Sequence, residues 1–523
     1  MRAISLGVAC AVSAPWALPG VAWAQDAIDE VVTKQYEDGG VYEGTFQDGK
    51  QDGTGTYRLP NGYEYSGEWV DGEIRGTGIA RFPNGSIYEG EFVAGKPQGI
   101  GKITFADGGT YEGEWEDGKI NGQGLAVYAN GVRYEGGFRN ARHHGLGRME
   151  SPNGYVYDGA WVDGVKEGQG TITYPDGAVY EGTLVRGVRS GEGTLRMPDG
   201  LVYEGDWQDG QINGEGTLTQ PNGDVYEGQL VAGERQGQGT VTYANGDVYE
   251  GAFAADAREG EGTYRSENGN VYTGTWIAGR IEGEGRLEYP DGSVYVGQFR
   301  DDVPDGTGKI TYADGSTYEG EWSGGVISGE GVATYPDGLV YEGSFANAQN
   351  DGMGVMTHPD GYRYEGEWSE GQREGQGTAT YADGTVYEGQ FVDGEREGQG
   401  TITMPDGFSY TGAWADGEIE GQGVATYSNG DVYEGQFAAG KRQGEGTIRY
   451  SSGETASGVW ENGALTQGTS GTATPEAAPS AAAPETPAPQ TPAPEGEAQA
   501  PGTPDEAAPG AADPDATGDT SED

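Results

Sequence analysis

A tyrosine recurs every 23 residues along most of this chain, and this period constrains the fold more than any other feature of the sequence. A nineteenth, degenerate unit carries Ala456 where the tyrosine would stand. So regular a period is typical of proteins built from short units that pack on their neighbours. The 18 tyrosines, spaced without insertion or deletion, are Tyr42, Tyr65, Tyr88, Tyr111, Tyr134, Tyr157, Tyr180, Tyr203, Tyr226, Tyr249, Tyr272, Tyr295, Tyr318, Tyr341, Tyr364, Tyr387, Tyr410 and Tyr433.

Each unit also repeats its glycines and one further large apolar residue, and we number positions from its tyrosine as position 0. Glycine occupies +2, +11 and +13 in all 18 units, and an aromatic residue or leucine occupies +4. Asn-Gly or Asp-Gly generally fills +19 and +20. Positions 0, +2 and +4 alternate with polar residues, which predicts a strand with one apolar face. Positions +13, +15 and +17 predict the return strand of a β-hairpin.

The glycines are predicted to have conformational roles, and Gly44, Gly53, Gly55 and Gly62 represent them in the first unit. Glycine near +7 and at +11 is expected in the loop between the two strands, where it supplies a positive φ. The Asn-Gly or Asp-Gly pair is expected to turn the chain into the next unit. Glycines at +2 and +13 leave gaps on the apolar face, and a large ring can lie over such a gap.

These patterns predict an all-β fold: an elongated, single antiparallel sheet of stacked 23-residue hairpins. A lone hairpin is only marginally stable in water, so each unit must bury part of its aromatic face against its neighbours.

A second pattern doubles the period, because tryptophan at +4 mostly alternates with phenylalanine or leucine. Isoleucine at +9 occurs only after tryptophan, and we infer that it packs on the tryptophan ring. The aromatic row is predicted to be mainly structural, with part of each ring exposed for binding. Its candidate residues are Tyr42, Trp69, Tyr88, Trp115, Tyr134, Trp161, Tyr180, Trp207, Tyr249, Trp276, Tyr295, Trp322, Tyr341, Trp368, Tyr387, Trp414, Tyr433 and Trp460.

The repeated residues resemble the MORN repeat, whose pattern is Tyr-Glu-Gly followed by an aromatic residue, spaced glycines and an Asp-Gly turn. The third unit shows the match in Tyr88-Glu89-Gly90, Phe92, Gly99 and Gly101. The resemblance covers roughly residues 38–465. It implies an elongated antiparallel sheet of hairpins that serves as a protein- or lipid-interaction module and often self-associates.

The net charge of -55 restricts the partners of the chain. So negative a surface repels nucleic-acid phosphates and disfavours anionic membranes. Protein partners, self-association and glycans stay open, and the glutamates at +1, such as Glu43, Glu89, Glu112 and Glu204, allow weak calcium binding. Their spacing of about 10 Å is too wide for a catalytic carboxylate pair.

The N-terminal residues predict export. Residues 1–24 have a basic Arg2, an apolar run and the cleavage motif Ala22-Trp23-Ala24, which indicate a signal peptide. An uncleaved anchor and lipidation at Cys10 are the alternatives. Cys10 is the only cysteine, so the mature chain has no thiol. Residues 25–37 form a lead-in, residues 38–466 the repeat array, and residues 467–523 an acidic tail rich in Pro, Ala, Thr and Glu that is predicted to be disordered.

Residues for catalysis are scarce. Phosphate-binding, nucleophile-elbow and zinc-protease motifs do not occur, and no cofactor or metal is predicted. His143 and His144 are expected as solvated residues of a hairpin loop, and His358 is the third histidine. The sequence therefore predicts a non-enzymatic, periplasmic or secreted scaffold that binds protein partners or itself. The alternative is a carbohydrate- or cell-wall-binding protein that uses exposed aromatic rings.

Overall fold

The computed structural model describes residues 31–470, and within that range the chain forms 39 β-strands and no α-helix. None of these residues forms a helix long and apolar enough to cross a membrane. The chain divides into two compact blocks, Met1–Pro198 and Asp199–Asp523, each made of many 23-residue units. The predicted signal peptide and the tail beyond residue 470 lie outside the described residues.

Residues 31–198, the described part of the first block, form fifteen strands, and apart from the short β1 they alternate between seven and nine residues. They are β1 (Val32–Gln35), β2 (Val41–Gln47), β3 (Lys50–Arg58), β4 (Glu64–Val70), β5 (Glu73–Arg81), β6 (Ile87–Val93), β7 (Lys96–Thr104), β8 (Thr110–Glu116), β9 (Lys119–Val127), β10 (Arg133–Arg139), β11 (Arg142–Glu150), β12 (Val156–Val162), β13 (Val165–Thr173), β14 (Val179–Val185) and β15 (Val188–Arg196).

Residues 199–470, the described part of the second block, form 24 strands with the same alternation, except that the last strand has seven residues instead of nine. They are β16 (Val202–Gln208), β17 (Gln211–Thr219), β18 (Val225–Val231), β19 (Glu234–Thr242), β20 (Val248–Ala254), β21 (Ala257–Arg265), β22 (Val271–Ile277), β23 (Arg280–Glu288), β24 (Val294–Arg300), β25 (Val303–Thr311), β26 (Thr317–Ser323), β27 (Val326–Thr334), β28 (Val340–Ala346), β29 (Gln349–Thr357), β30 (Arg363–Ser369), β31 (Gln372–Thr380), β32 (Val386–Val392), β33 (Glu395–Thr403), β34 (Ser409–Ala415), β35 (Glu418–Thr426), β36 (Val432–Ala438), β37 (Lys441–Arg449), β38 (Thr455–Glu461) and β39 (Ala464–Ser470).

Within each of the two blocks every described strand pairs antiparallel with the next one along the chain. The predicted all-β sheet of 23-residue hairpins is therefore confirmed. The hairpin of β4 and β5 shows the register. Tyr65 at position 0 pairs with Ala80 at +15, and Gly67 at +2 pairs with Gly78 at +13. The same return strand then places Ala80 opposite Tyr88, the tyrosine of the next hairpin. Each tyrosine therefore lies between two return strands.

The turn inside each hairpin is shorter than the predicted loop. Val70 and Glu73 are paired, so Asp71 and Gly72 alone reverse the chain. Their φ values are 51° and 94°, and positive φ at both central residues is the signature of a type I′ turn. The right-handed twist of that turn matches the twist of the strands, which is why two residues suffice.

The glycine at +11 does not lie in a loop, contrary to the prediction; it lies inside the return strand. In the first hairpin Gly44 pairs with Gly55 but Phe46 pairs with Gln51, so the return strand bulges at Gly53. Gly53 has a φ of 87°, which glycine adopts without a steric penalty. The predicted positive φ is therefore present, but it allows a β-bulge in the return strand and not a loop.

The chain passes between hairpins through a three-residue loop at +18 to +20. In the loop after β5, Gly85 donates to the Phe82 carbonyl at 2.9 Å, and Phe82 donates to the Ser86 carbonyl at 2.8 Å. Gly85 has a φ of 89° and Asn84 accepts from the Ser86 amide at 3.0 Å. This is a type I turn closed by a left-handed glycine, and Gly62 has the same role one unit earlier with a φ of 94°.

The last hairpin extends beyond the predicted end of the array at residue 466, because β39 runs to Ser470. Gly468 pairs with Gly458 and Leu465 with Trp460. The return strand has one residue fewer between these pairs than the regular units have, so the glycine pair is kept although Gln467 replaces the glycine at +11.

Candidate functional site

The tyrosine at position 0 is the centre of each unit, and its ring lies on bare backbone. Tyr318 is 1% exposed, and a Cβ built on Gly331 would lie 2.5 Å from its ring. Its hydroxyl donates to the Glu321 carbonyl at 2.9 Å. Burial raises the pKa of Tyr318 to about 12, so the phenol stays protonated and remains a donor. The predicted stacking of a ring over a glycine gap is present at this hairpin.

The rings at +4 link neighbouring hairpins. Tyr387 makes edge contacts with Phe391 of its own hairpin and with Trp414 of the next, both at 5.1 Å between ring centres. The Trp414 indole also donates to the Gly400 carbonyl at 3.1 Å. Edge-to-face pairs at this distance are worth about 1 kcal/mol beyond the area they bury. Through these rings the Tyr387 hairpin is connected to the hairpin that follows it.

The predicted binding row is buried almost completely, which contradicts the expectation that part of each ring is exposed. Its tyrosines are 0% exposed and its tryptophans are at most 7% exposed. The tyrosine rings lie over glycine backbone and the tryptophan rings pack edge-on against them, so a second layer is not needed to bury the row. Stacking on sugars would require ring surface that these residues do not present.

The isoleucine that follows tryptophan lies where the sequence predicted it. Trp69 pairs with Ile74 across the two-residue turn, and Trp414 pairs with Ile419 in the same way. Ile419 is 6% exposed. Position +9 therefore belongs to the aromatic face, which we define as positions 0, +2, +4, +9, +13 and +15 of each unit.

His143 occupies position +9 of its unit and is half-buried among aromatic rings, contrary to the prediction of a solvated loop residue. It lies in β11, stacks on the Tyr134 ring at 3.6 Å and contacts the edge of Trp161 at 4.8 Å. A hydrogen bond of 2.7 Å joins its Nε2 to the Tyr128 hydroxyl. Burial lowers the pKa of His143 to about 4, so the ring is neutral near pH 7.

The opposite side of the strands, the outer face, is formed by positions +1, +3, +12 and +14. Glutamates at +1 are exposed, as Glu342, Glu388 and Glu434 show. Threonine is common at +14, and Thr401 bonds to Thr411 of the next hairpin at 3.0 Å. This face is mostly polar and presents side chains at the same positions in each repeat, although some of these positions carry exposed apolar residues such as Leu146 and Met353.

Position +10 has a role that was not predicted from the sequence. There an acceptor side chain caps the type I′ turn of the following hairpin. Glu397 accepts from the Asp416 amide at 3.1 Å, and Glu420 accepts from the Ala439 amide at 2.9 Å. The signal was available, because Asp, Asn, Glu or Gln fills +10 in most units. The partner is 19 residues away, so its meaning depends on the stacking of hairpins.

The described residues do not bring acidic and histidine side chains into a metal site. Within residues 31–470 no group of three or more His, Cys, Asp or Glu residues is arranged to hold a metal ion. His358 contacts Asp360 at 2.9 Å, and His144 lies 3.9 Å from Asp163. Weak calcium binding along the acidic surface stays a prediction.

Open hairpin arrays with a ring-on-glycine core define a class of β-repeat protein, and the family comparison gives the class its name. The family model of the MORN repeat matches eighteen consecutive segments. The chain belongs to the MORN repeat family. The matched residues are 42–62, 65–87, 88–110, 111–133, 134–154, 157–179, 180–202, 203–225, 226–248, 249–271, 272–294, 295–317, 318–340, 341–361, 364–386, 387–408, 410–432 and 433–455.

No curated protein matches the chain, whereas some solved structures resemble parts of it. The TCP domain of Drosophila melanogaster SAS-4, in complex with a proline-rich motif of Ana2, is 21% identical with a TM-score of 0.20; the match covers 30% of this chain and 85% of that one. The TCP10 domain of Danio rerio CPAP is 14% identical with a TM-score of 0.13, covering 56% and 98%. A streptogramin B lyase is 13% identical with a TM-score of 0.11, covering 56% and 90%. Scores this low support no functional conclusion.

Proposed function

We propose that this protein is an exported scaffold that binds protein partners, or further copies of itself, through the outer face of its hairpins. The observation that supports the proposal is the difference in burial between the two faces of the strands. The aromatic face is buried by packing, whereas the outer face presents exposed and mostly polar side chains at the same positions every 23 residues. A repeated surface suits several weak contacts with one extended partner.

The charge of the array favours a basic partner. Residues 199–470 carry 47 Asp and Glu against 13 Lys and Arg, and residues 31–198 carry 24 against 16. Complementary charge speeds encounter and selects against wrong partners more than it adds affinity. We therefore expect the more acidic residues 199–470 to make the larger contribution to capture of a basic partner.

Binding rather than catalysis is the proposed activity, and the MORN repeat is a fold typically without catalytic function. The carbohydrate-binding alternative was motivated by exposed rings. Because the predicted ring surface is buried, no observation favours this alternative over protein binding.

Capture from periplasmic extract of the native host tests the outer face. A charge-reversed variant, Glu342→Lys with Glu388→Lys and Glu434→Lys, changes three exposed outer-face residues. The matched control, Glu370→Lys with Glu395→Lys and Glu418→Lys, changes three exposed residues at or beside the type I′ turns by the same net charge. We expect the outer-face variant to lose captured protein at least tenfold and the control to retain it.

Two outcomes contradict this proposal. In the first, the wild-type chain would retain no partner and would sediment as a monomer at all concentrations. In the second, both variants would lose binding equally, which would make net charge the cause. Export is tested separately, since the mature protein from the envelope fraction should begin at Gln25 by mass spectrometry.

A further inference from the structure

Arg442, at position +9 of its hairpin, lies in a slot whose walls are aromatic. Its guanidinium carbon is 4.3 Å from the centre of the Trp460 ring and 5.7 Å from those of Tyr427 and Tyr433. Its Nη2 donates to the Gly463 carbonyl at 2.7 Å. A cation over ring faces is stabilised by their negative quadrupoles, and the carbonyl fixes its direction.

The same slot recurs at two further hairpins in which arginine at +9 precedes a tryptophan in the next hairpin. Arg396 lies 4.6 Å from the Trp414 ring and donates to the Gly417 carbonyl at 2.7 Å. Arg258 lies 4.1 Å from the Trp276 ring. Both arginines are 7% exposed, so the slot accepts a guanidinium that has lost nearly all of its water. The chain thus supplies its own examples of what the slot binds.

The slot at Pro97 has the same walls but no cation. Pro97 stands fifteen units before Arg442, and beside it lies a cavity of about 310 Å³. The lining residues include Phe82, Tyr88, Trp115 and Gly118, which match Tyr427, Tyr433, Trp460 and Gly463 position by position. Phe105, a further lining residue, is 38% exposed.

We propose that the Pro97 cavity binds the arginine side chain of a partner polypeptide, and this inference rests on the proposed protein-binding function. The indole of Trp115 and the ring of Tyr88 receive the guanidinium face, and the Gly118 carbonyl accepts its hydrogen bond. Proline at +9 leaves the slot without a cation, because its side chain has no guanidinium to place against the tryptophan of the next hairpin.

Charge favours an occupant from another molecule. Residues 1–30 and 471–523 contain a single cationic side chain, Arg2, which belongs to the predicted signal peptide. The tail is acidic and has no Lys or Arg. The net charge of -55 draws a cationic peptide toward the sheet from a distance. A guanidinium is favoured over an ammonium, because its planar face stacks on rings while its edge donates.

Fluorine NMR of the full chain labelled with 5-fluorotryptophan tests the site. The probe is acetyl-Gly-Arg-Gly-amide, and Trp115→Phe assigns the resonance of interest. We expect the Trp115 resonance to shift saturably, whereas the resonances of Trp414 and Trp460, whose slots already hold arginine, stay within a tenth of that shift. The isosteric citrulline peptide, which has no charge, should bind at least tenfold more weakly.

Two variants of Pro97 separate the slot from the proline itself. Pro97→Arg should fill the cavity internally and abolish the Trp115 response, whereas Pro97→Ala leaves the slot open and should keep it. A circular dichroism spectrum like that of the wild type confirms that each variant folds.

Equal binding of the citrulline peptide, equal shifts at all tryptophans, or no response at Trp115 would each overturn the arginine slot. These failures are distinguishable from failure of the proposed function. A partner captured from periplasmic extract by both wild type and Pro97→Arg would leave the scaffold role standing without the slot. A saturable response at Trp115 with no partner captured from periplasmic extract would support the arginine slot and contradict the scaffold role.

Discussion

The two faces of the same strands differ in almost every physical respect, although their residues alternate along one backbone. On the aromatic face of β37, Gly446 lies beneath the ring of Tyr433. The next residue, Thr447, points to the outer face and shares a 2.8 Å hydrogen bond with Ser457. The described sheet therefore makes its core from one face alone, by laying tyrosine rings on backbone that has no side chains.

The largest expected effect comes from closing one of those gaps. A Cβ on Gly446 would lie 2.1 Å from the Tyr433 hydroxyl, so Gly446→Ala must displace the ring. We expect a loss of about 3 kcal/mol from the stability of that hairpin. Thr447→Ala, one residue along the same strand, should cost less than about 0.5 kcal/mol. Hydrogen exchange of the peptide covering β36–β38 measures both; equal losses would contradict the difference between the faces.

Acid should loosen the aromatic face at one hairpin only. The pKa of His143 is lowered by burial to about 4, below the ordinary value of 6.5. Between those values the unfolded hairpin binds a proton that the folded one does not, so stability falls as the pH falls from about 6.5 to about 4. We expect a loss smaller than that of Gly446→Ala. Hydrogen exchange of β10–β12 at pH 7 and pH 5 measures it.

Replacement of His143 supplies the control for the acid effect. Isoleucine occurs at the same position in other hairpins, as Ile120 shows one unit earlier. In His143→Ile the difference between pH 7 and pH 5 should disappear from β10–β12. A pH dependence of the same size in this variant would assign the effect to other groups.

A smaller effect separates two tryptophans that stack on arginine but differ in hydrogen bonding. The Trp414 indole donates to Gly400, whereas the Trp276 indole nitrogen is buried with no hydrogen-bond partner. Phenylalanine fits position +4 elsewhere, so both Trp→Phe changes keep the ring contact. We expect Trp414→Phe to cost about 1 kcal/mol more than Trp276→Phe. Local hydrogen exchange at each hairpin checks the order, and a larger loss at Trp276 would contradict it.

The smallest expected effect is an increase in stability at a two-residue hairpin turn, which lies outside both faces. Ala141 holds a φ of 62° at the second turn position, where most units have glycine. Ala141→Gly should stabilise its hairpin by about 0.5–1 kcal/mol, because glycine adopts that φ without strain. Ala126→Gly in a buried strand position should destabilise instead. Thermal denaturation of both variants gives the sign, and a lower Tm for Ala141→Gly would refute the turn assignment.

The sequence by itself determined the hairpin, its register and its core, because these depend on residues of one repeat. Tyr318 and Gly331 pack together within one hairpin, and Trp69 and Ile74 pair across one turn, so the 23-residue pattern was enough to predict both contacts. The same local reasoning could not distinguish a two-residue turn from a longer loop. It therefore misplaced the glycine at +11 and left His143 in solvent.

Only the tertiary structure decided what happens between hairpins. The cap from Glu420 to Ala439 and the slot of Arg442 join residues 19–21 positions apart, and the cavity beside Pro97 is lined by three successive units. Rings that look exposed in a single sheet are buried by the next hairpin, and a vacancy exists only where several side chains surround it. The physical reason is that a repeat fixes each strand's partners, whereas the space left between units depends on side chains that meet only after the hairpins stack.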